Sequence, residues 1–185
     1  MKNTAIILIL MAIFSAGSLQ AQKYITKNSK ISFFSDAPME KIEAHNNQVN
    51  AALDIATGDL VFKVLMKSFE FEKALMQEHF NENYVESDKF PNATFAGKII
   101  NIADLSLPED GTYEAIIHGK LTIHGVTKDI QESGELKVSG GKISGKTKFS
   151  ILLADYDVRI PNTVVNNISE TIEIMVDIDL EELKK

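Results

Sequence analysis

Apolar and polar residues alternate along most of this chain, and a period of two leaves few folds open to it. From Gln48 to Ala56, Val49, Ala51, Leu53 and Ile55 fall on one face, with Asn50 and Asp54 on the other. Leu60, Phe62, Val64 and Met66 alternate with Lys63 and Lys67, and Ile172, Ile174, Val176, Ile178 and Leu180 alternate with Glu173, Asp177 and Asp179. Successive side chains of a strand point to opposite faces, so each segment reads as a half-buried strand. Tyr24 to Ser35 reads as a strand broken by a turn at Lys27-Asn28-Ser29. Ala93 to Ile100, Tyr113 to Ile123, Val126 to Val138 and Ile143 to Leu153 are further strands. Thr57-Gly58-Asp59, His124-Gly125 and Ser139-Gly140-Gly141 carry turn residues. Leu107 to Gly111 is a loop, and a second loop with Pro161 precedes the last strand. The sum is eight strands with mostly short connections, each with one apolar face, which favours antiparallel pairing. Closing them into a barrel removes the exposed edges. A two-sheet sandwich fits the same pattern.

The N-terminus follows different rules. Lys2 precedes an unbroken apolar run, Ala5 to Phe14, and small residues follow it to Ala21. As a helix the run spans ~15 Å, about half a bilayer core. We expect a signal peptide over residues 1–21, cleaved after Ala21, and one domain over residues 22–185 in the periplasm or secreted. The chain is expected not to span a membrane. It has no cysteine, so thiol catalysis, cysteine-rich metal sites and disulfides are excluded. A net charge of −7 with no basic patch argues against nucleic acid as a partner.

One segment breaks the alternation. Phe71, Leu75, Met76, Phe80 and Tyr84 recur at spacings of three to five, as on one stripe of a helix. Proline at 91 restricts Phe90 and ends the segment. We expect a short helix over Leu75 to Phe90, laid across one end of the sheet as a lid, with Met76, His79, Phe80 and Tyr84 as its candidate contacts.

Catalysis at that helix would use His79 as a base, with Glu78 adjacent and Glu82 one turn on. No nucleophile motif accompanies it, so a polar contact at a lid or an ordinary surface histidine fits better. A metal fits poorly. His118 and His124, both read as the polar register of one strand, would lie ~20 Å apart, and His45 beside Glu43 lacks a third ligand. We therefore expect no catalytic residue, no metal and no cofactor. Small residues recur in the apolar register: Ala51, Ala93, Gly97, Ala115, Gly119 and Gly145. In an eight-stranded barrel they either leave room for a ligand or serve bends and bulges. Phe62, Met66, Phe95, Ala115, Ile117 and Phe149 are the candidate lumen residues, chosen for apolar register, and each is equally compatible with ordinary core.

Three motifs carry a resemblance: Gly119 to Ile130 (GKLTIHGVTKDI), Lys89 to Phe95 (KFPNATF) after His79, and Asp155-Tyr156. Together they resemble the YceI family of exported barrel proteins over most of residues 22–185. Where many members carry Arg-Asp before the helix histidine, this chain has Met76-Gln77, and Asp157 replaces a common glycine. The resemblance implies an all-β, eight-stranded antiparallel, lipocalin-like barrel with a short helical lid. It implies an isoprenoid-like or other long-chain apolar ligand in the lumen, held for transport, storage or sequestration. A lipid-modifying enzyme using His79 and a filled-barrel structural or stress protein are the alternatives. A homodimer is compatible with all three.

Overall fold

The computed structural model describes residues 23–183. The segment expected to be a signal peptide lies outside the described residues. Ten strands form one antiparallel sheet: β1 Lys23–Asp36, β2 Lys41–Asn46, β3 Val49–Asp54, β4 Asp59–Leu65, β5 Glu70–Phe71, β6 Asn92–Ile99, β7 Gly111–Ile123, β8 Val126–Ser139, β9 Lys142–Leu152 and β10 Thr171–Glu182. The sheet closes because β1 also pairs with β10, from Tyr24 opposite Glu182 to Phe34 opposite Glu173. Around the ring, β2 with β3 and β4 with β5 each act as one barrel strand bent in two. β1 pairs with β3 through Lys23–Ile25 and with β2 through Ile31–Asp36. The result is a closed barrel of eight strands, which excludes the sandwich.

The alternation is realised almost throughout. Val49, Ala51, Leu53, Leu60, Val64 and Met66 are buried, as are Ile172, Ile178 and Leu180. Gly58 takes φ 77° in its tight turn, and Asp157 takes φ 55° where a glycine is common in the resembling family. A short polar side chain tolerates that left-handed conformation better than most.

One expectation needs correction. Lys27 to Ser29 is not a turn. The register shifts by one between Thr26 and Asn28, a β-bulge inside a continuous strand. Tyr24 and Thr26 share the inward face before the bulge, and Ile31, Phe33 and Ser35 share it after. β2 is a strand the alternation did not reveal: its outward Lys41, Glu43 and His45 leave only Ile42 and Ala44 as apolar inward residues. The third inward residue, Asn46, is fully buried. Its Nδ2 donates to the Leu65 carbonyl at 2.8 Å and its Oδ1 accepts from the Gln48 N–H at 2.8 Å, so both polar ends are satisfied. Asn46 thus pins the bend between β2 and β3 to the end of β4.

The small inward residues divide. Gly97 and Gly119 lie opposite each other, and the Phe95 ring covers both: a Cβ at Gly119 would meet the Gly97 Cα at 2.5 Å and Phe95 at 2.7 Å. These glycines make space for an aromatic ring of the protein itself. Ile178 and Leu136 fill the space at Gly145 in the same way. Gly119→Ala should therefore overpack backbone against backbone, at a cost of ~2 kcal/mol or more and ~4–8 °C in Tm. Thermal melts check this; an unchanged midpoint would show that the wall relaxes around the methyl group.

Candidate ligand cavity

The inward faces enclose a cavity of about 590 Å³. That is within the range of sites for small organic ligands. Its wall is almost wholly apolar. Phe62, Met66, Phe95, Ala115, Ile117 and Phe149, expected in the lumen, all stand on it. They do not all present surface. Ala115 is 0% exposed, whereas Phe62, Ile117 and Phe149 are half-buried. Ala93, from the same small-residue set, lines the cavity and is half-buried.

One barrel end is covered by the segment that breaks the alternation. α1 spans Ala74–His79 and continues as a wider, π-type turn over Phe80–Tyr84. The helix is shorter than the Leu75 to Phe90 expected. Glu86 takes φ 43°, which no right-handed helix accommodates, and the chain turns back with the Lys89 and Phe90 N–H groups bonded to the Glu86 carbonyl. Met76, His79, Phe80 and Tyr84 all line the cavity. Phe80 is the anchor. Its ring lies 5.5 Å from Phe33, 5.6 Å from Phe69 and 5.1 Å from Phe71, centroid to centroid. Such tilted and stacked aromatic contacts contribute ~0.5–1.5 kcal/mol each beyond buried area. Tyr84 is half-buried, and burial pushes its phenol pKa up.

His79 lies exposed at the cavity rim, and no hydrogen bond or ion pair reaches it among the described residues. Glu82 does not orient its ring. A general base needs such an arrangement, so the geometry gives the catalytic alternative no support.

His124 is not on the strand. It is a turn residue between β7 and β8, with φ 50° and its side chain 11% exposed. Its Nε2 lies 2.7 Å from the Glu86 carboxylate and its Nδ1 3.1 Å from the Tyr156 carbonyl oxygen. Both partners accept, so both bonds form together when the ring donates from each nitrogen. The Phe90 ring packs edge-on against His124 at 4.7 Å. Gly125, at φ 76°, lets Phe90 approach so closely that a Cβ there would meet its ring at 2.5 Å. Lys128 completes the junction with Asp155 at 3.7 Å. The three sequence motifs therefore meet at one barrel end, beside the lid. They hold loops together, and no reaction centre forms among them.

Sequence reasoning missed three features. Phe33 and Phe69 complete the aromatic cluster around Phe80; the bulge hid the inward register of Phe33. Glu132 is the third. It sits on the inward register of β8, half-buried and lining the cavity, and burial pushes its carboxyl pKa up. Its place in the alternation, between Ile130 and Gly134, was the available signal.

The comparisons with known proteins agree with this architecture. The model of the YceI-like domain matches residues 23–180. No curated protein sequence matches the chain. A polyisoprenoid-binding domain from Saccharophagus degradans, implicated in plant cell wall breakdown, superposes with a TM-score of 0.75 at 16% identity, covering 86% of this chain and 98% of that one. Burkholderia cenocepacia BcnA gives 0.68 at 17% identity, covering 82% and 95%. A Campylobacter jejuni YceI protein gives 0.59 at 18% identity, covering 77% and 85%. At these identities the likeness establishes the fold.

Removing the His124 ring tests the junction. His124→Ala should lose two hydrogen bonds, one to a carboxylate, and cost ~2–4 kcal/mol. Amide exchange should rise in residues 86–90 and 153–157 and stay unchanged in the hairpin at Gly140-Gly141. Uniform loosening across the barrel would contradict a local role.

Proposed function

Since the chain belongs to the YceI-like domain family, we propose that its barrel is an exported binding protein for an isoprenoid-like or other long-chain amphiphile, held for transport, storage or sequestration. The observation that carries this reading is the almost wholly apolar wall of the 590 Å³ cavity. An apolar chain needs no motif to bind there. Ten buried methylenes contribute ~8 kcal/mol gross, from which the costs of association are subtracted. The name of the Saccharophagus degradans relative, a polyisoprenoid-binding domain, supports an isoprenoid as the ligand class. The apolar run at Ala5 to Phe14 supports export. No helix among the described residues is long and apolar enough to cross a membrane.

The bare, exposed His79 favours binding without catalysis over a lipid-modifying enzyme. The lid packs on the cluster beneath it through Phe80, Tyr84 and Val85, and Phe80 makes its three aromatic contacts, so exchange of the ligand depends on releasing that ring.

Organic extraction and native mass spectrometry of the purified protein test the proposal. We expect a long-chain lipid bound one per barrel. Ala93→Phe adds a ring at a half-buried wall position on the cavity and should reduce occupancy severalfold at a stability cost of ~1–3 kcal/mol. Ala93 is the better probe than Ala115, where the added ring would strain packed core. Phe80→Ser should speed lipid exchange without changing the strand signal in circular dichroism. A protein that carries no lipid, and takes up none when offered isoprenoids, is a filled barrel and the proposal fails.

A further inference from the structure

β8 and β9 do not pair along their whole length. Their ladder runs from Ser139 opposite Lys142 to Gly134 opposite Thr147 and stops there. The Thr147 hydroxyl donates to the Ser133 carbonyl at 2.7 Å as the last link. Beyond it β8 continues to Val126, paired only with β7, and β9 continues to Leu152, paired only with β10. The wall therefore has a slot, bounded at its far end by Lys128 and Asp155 and by His124 and Tyr156. Continuing the register would set Glu132 opposite Phe149. Both are half-buried and both line the cavity.

Glu132 is thus a carboxyl on an apolar wall, at the edge of a break in that wall. No hydrogen bond or ion pair reaches it among the described residues. Burial is the sole cause of its raised pKa, so no cation compensates it. A carboxyl taken from water without a partner costs stability, and an apolar residue would serve a filled barrel better. The cations nearest the cavity are already engaged. Lys146 pairs with Asp177 at 2.8 Å and Lys73 with Glu40 at 3.0 Å. Lys128, on the same register of β8 but ~13 Å along it, pairs with Asp155. A phosphate head group at the slot would meet a carboxyl, while the two lysines that line the cavity among the described residues are already paired; a hydroxyl would find an acceptor within reach of water.

We propose that Glu132 is the head-group contact of the lumen, selecting a long-chain ligand whose polar end is an uncharged hydrogen-bond donor, an alcohol, over the phosphate ester of the same chain. This rests on the reading of the barrel as a lipid binder. The head group lies at the slot between β8 and β9, and the chain runs along the apolar wall. Selection by a hydrogen bond is steep, because an analogue without the donor leaves the carboxyl dehydrated and unpaired.

The test uses delipidated protein and three probes of one chain length: geranylgeraniol, geranylgeranyl acetate and geranylgeranyl monophosphate. Each displaces a fluorescent apolar dye from the lumen. The unmodified protein should bind the alcohol ~10-fold or more tightly than the acetate, and the monophosphate weakest of all. Glu132→Leu should bring alcohol and acetate together, chiefly by weakening the alcohol. Glu132→Gln, which keeps an acceptor and removes the charge, should retain much of the preference for alcohol over acetate and bind the monophosphate better than the unmodified protein does. Melting temperatures no lower than that of the unmodified protein would show both variants folded. An alcohol-to-acetate ratio unchanged by Glu132→Leu would overturn the assignment and leave lipid binding intact. Failure of the unmodified protein to bind any of the three would overturn both.

Discussion

Tyr24 to Phe34 of β1 lie against Glu182 to Glu173 of β10, and this pairing of the first described strand with the last turns a sheet into a vessel. Without it both strands would be edges, with unpaired N–H and carbonyl groups facing water. With it, one face of every strand turns inward, and the period of two sorts side chains into wall and surface. The bulge at Lys27 is part of the same device. It shifts the inward register by one residue, so Tyr24 and Thr26 join the lower core while Phe33 reaches the aromatic cluster under the lid. A regular strand would have put Phe34 inside and Phe33 in solvent.

The two barrel ends differ in how they are finished. At one end the turns at Gly58 and at Gly140-Gly141 are tight, and Leu53, Ile99, Ile143 and Leu180 are packed to complete burial. At the other, the lid, the β7–β8 turn and the loop after β9 meet around His124. A single ring holds three segments that are far apart in sequence, and this accounts for the concentration of motif residues there. The motifs mark a structural junction beside the cavity mouth, which is where a binding barrel has most irregular backbone to secure.

Much of this was legible from alternation alone. Eight barrel strands, the inward faces of all but β1 and the tight turns follow from the positions of apolar residues. The six lumen candidates stand on one cavity for the same reason, since inward register on a closed sheet converges, and the four lid candidates join them because the helix covers one barrel end. What stayed hidden depended on contacts between distant segments. β2 was obscured because its fully buried inward residue is Asn46, whose polar atoms are satisfied by Leu65 and Gln48. His124 carried no sign of its partners Glu86 and Tyr156. The role of each small residue depended on its neighbours, since Gly97 and Gly119 admit Phe95 while Ala93 faces the cavity. Glu132 was masked by the expectation that a charged residue in a strand faces water.

Two inward polar groups contrast with Glu132. Asn46 is bonded at both ends and Ser35 accepts from the Ser169 N–H at 2.9 Å, so these hold the fold. Glu132 has no hydrogen bond or ion pair among the described residues, and the cavity beside it is where a partner would come from. The central claim, that the apolar wall is a binding surface, is tested most directly by calorimetric titration of the delipidated protein with geranylgeraniol at several temperatures. Transfer of a long chain from water to this wall predicts saturation at one ligand per barrel and a clearly negative heat-capacity change. No saturable heat at any temperature would contradict the account.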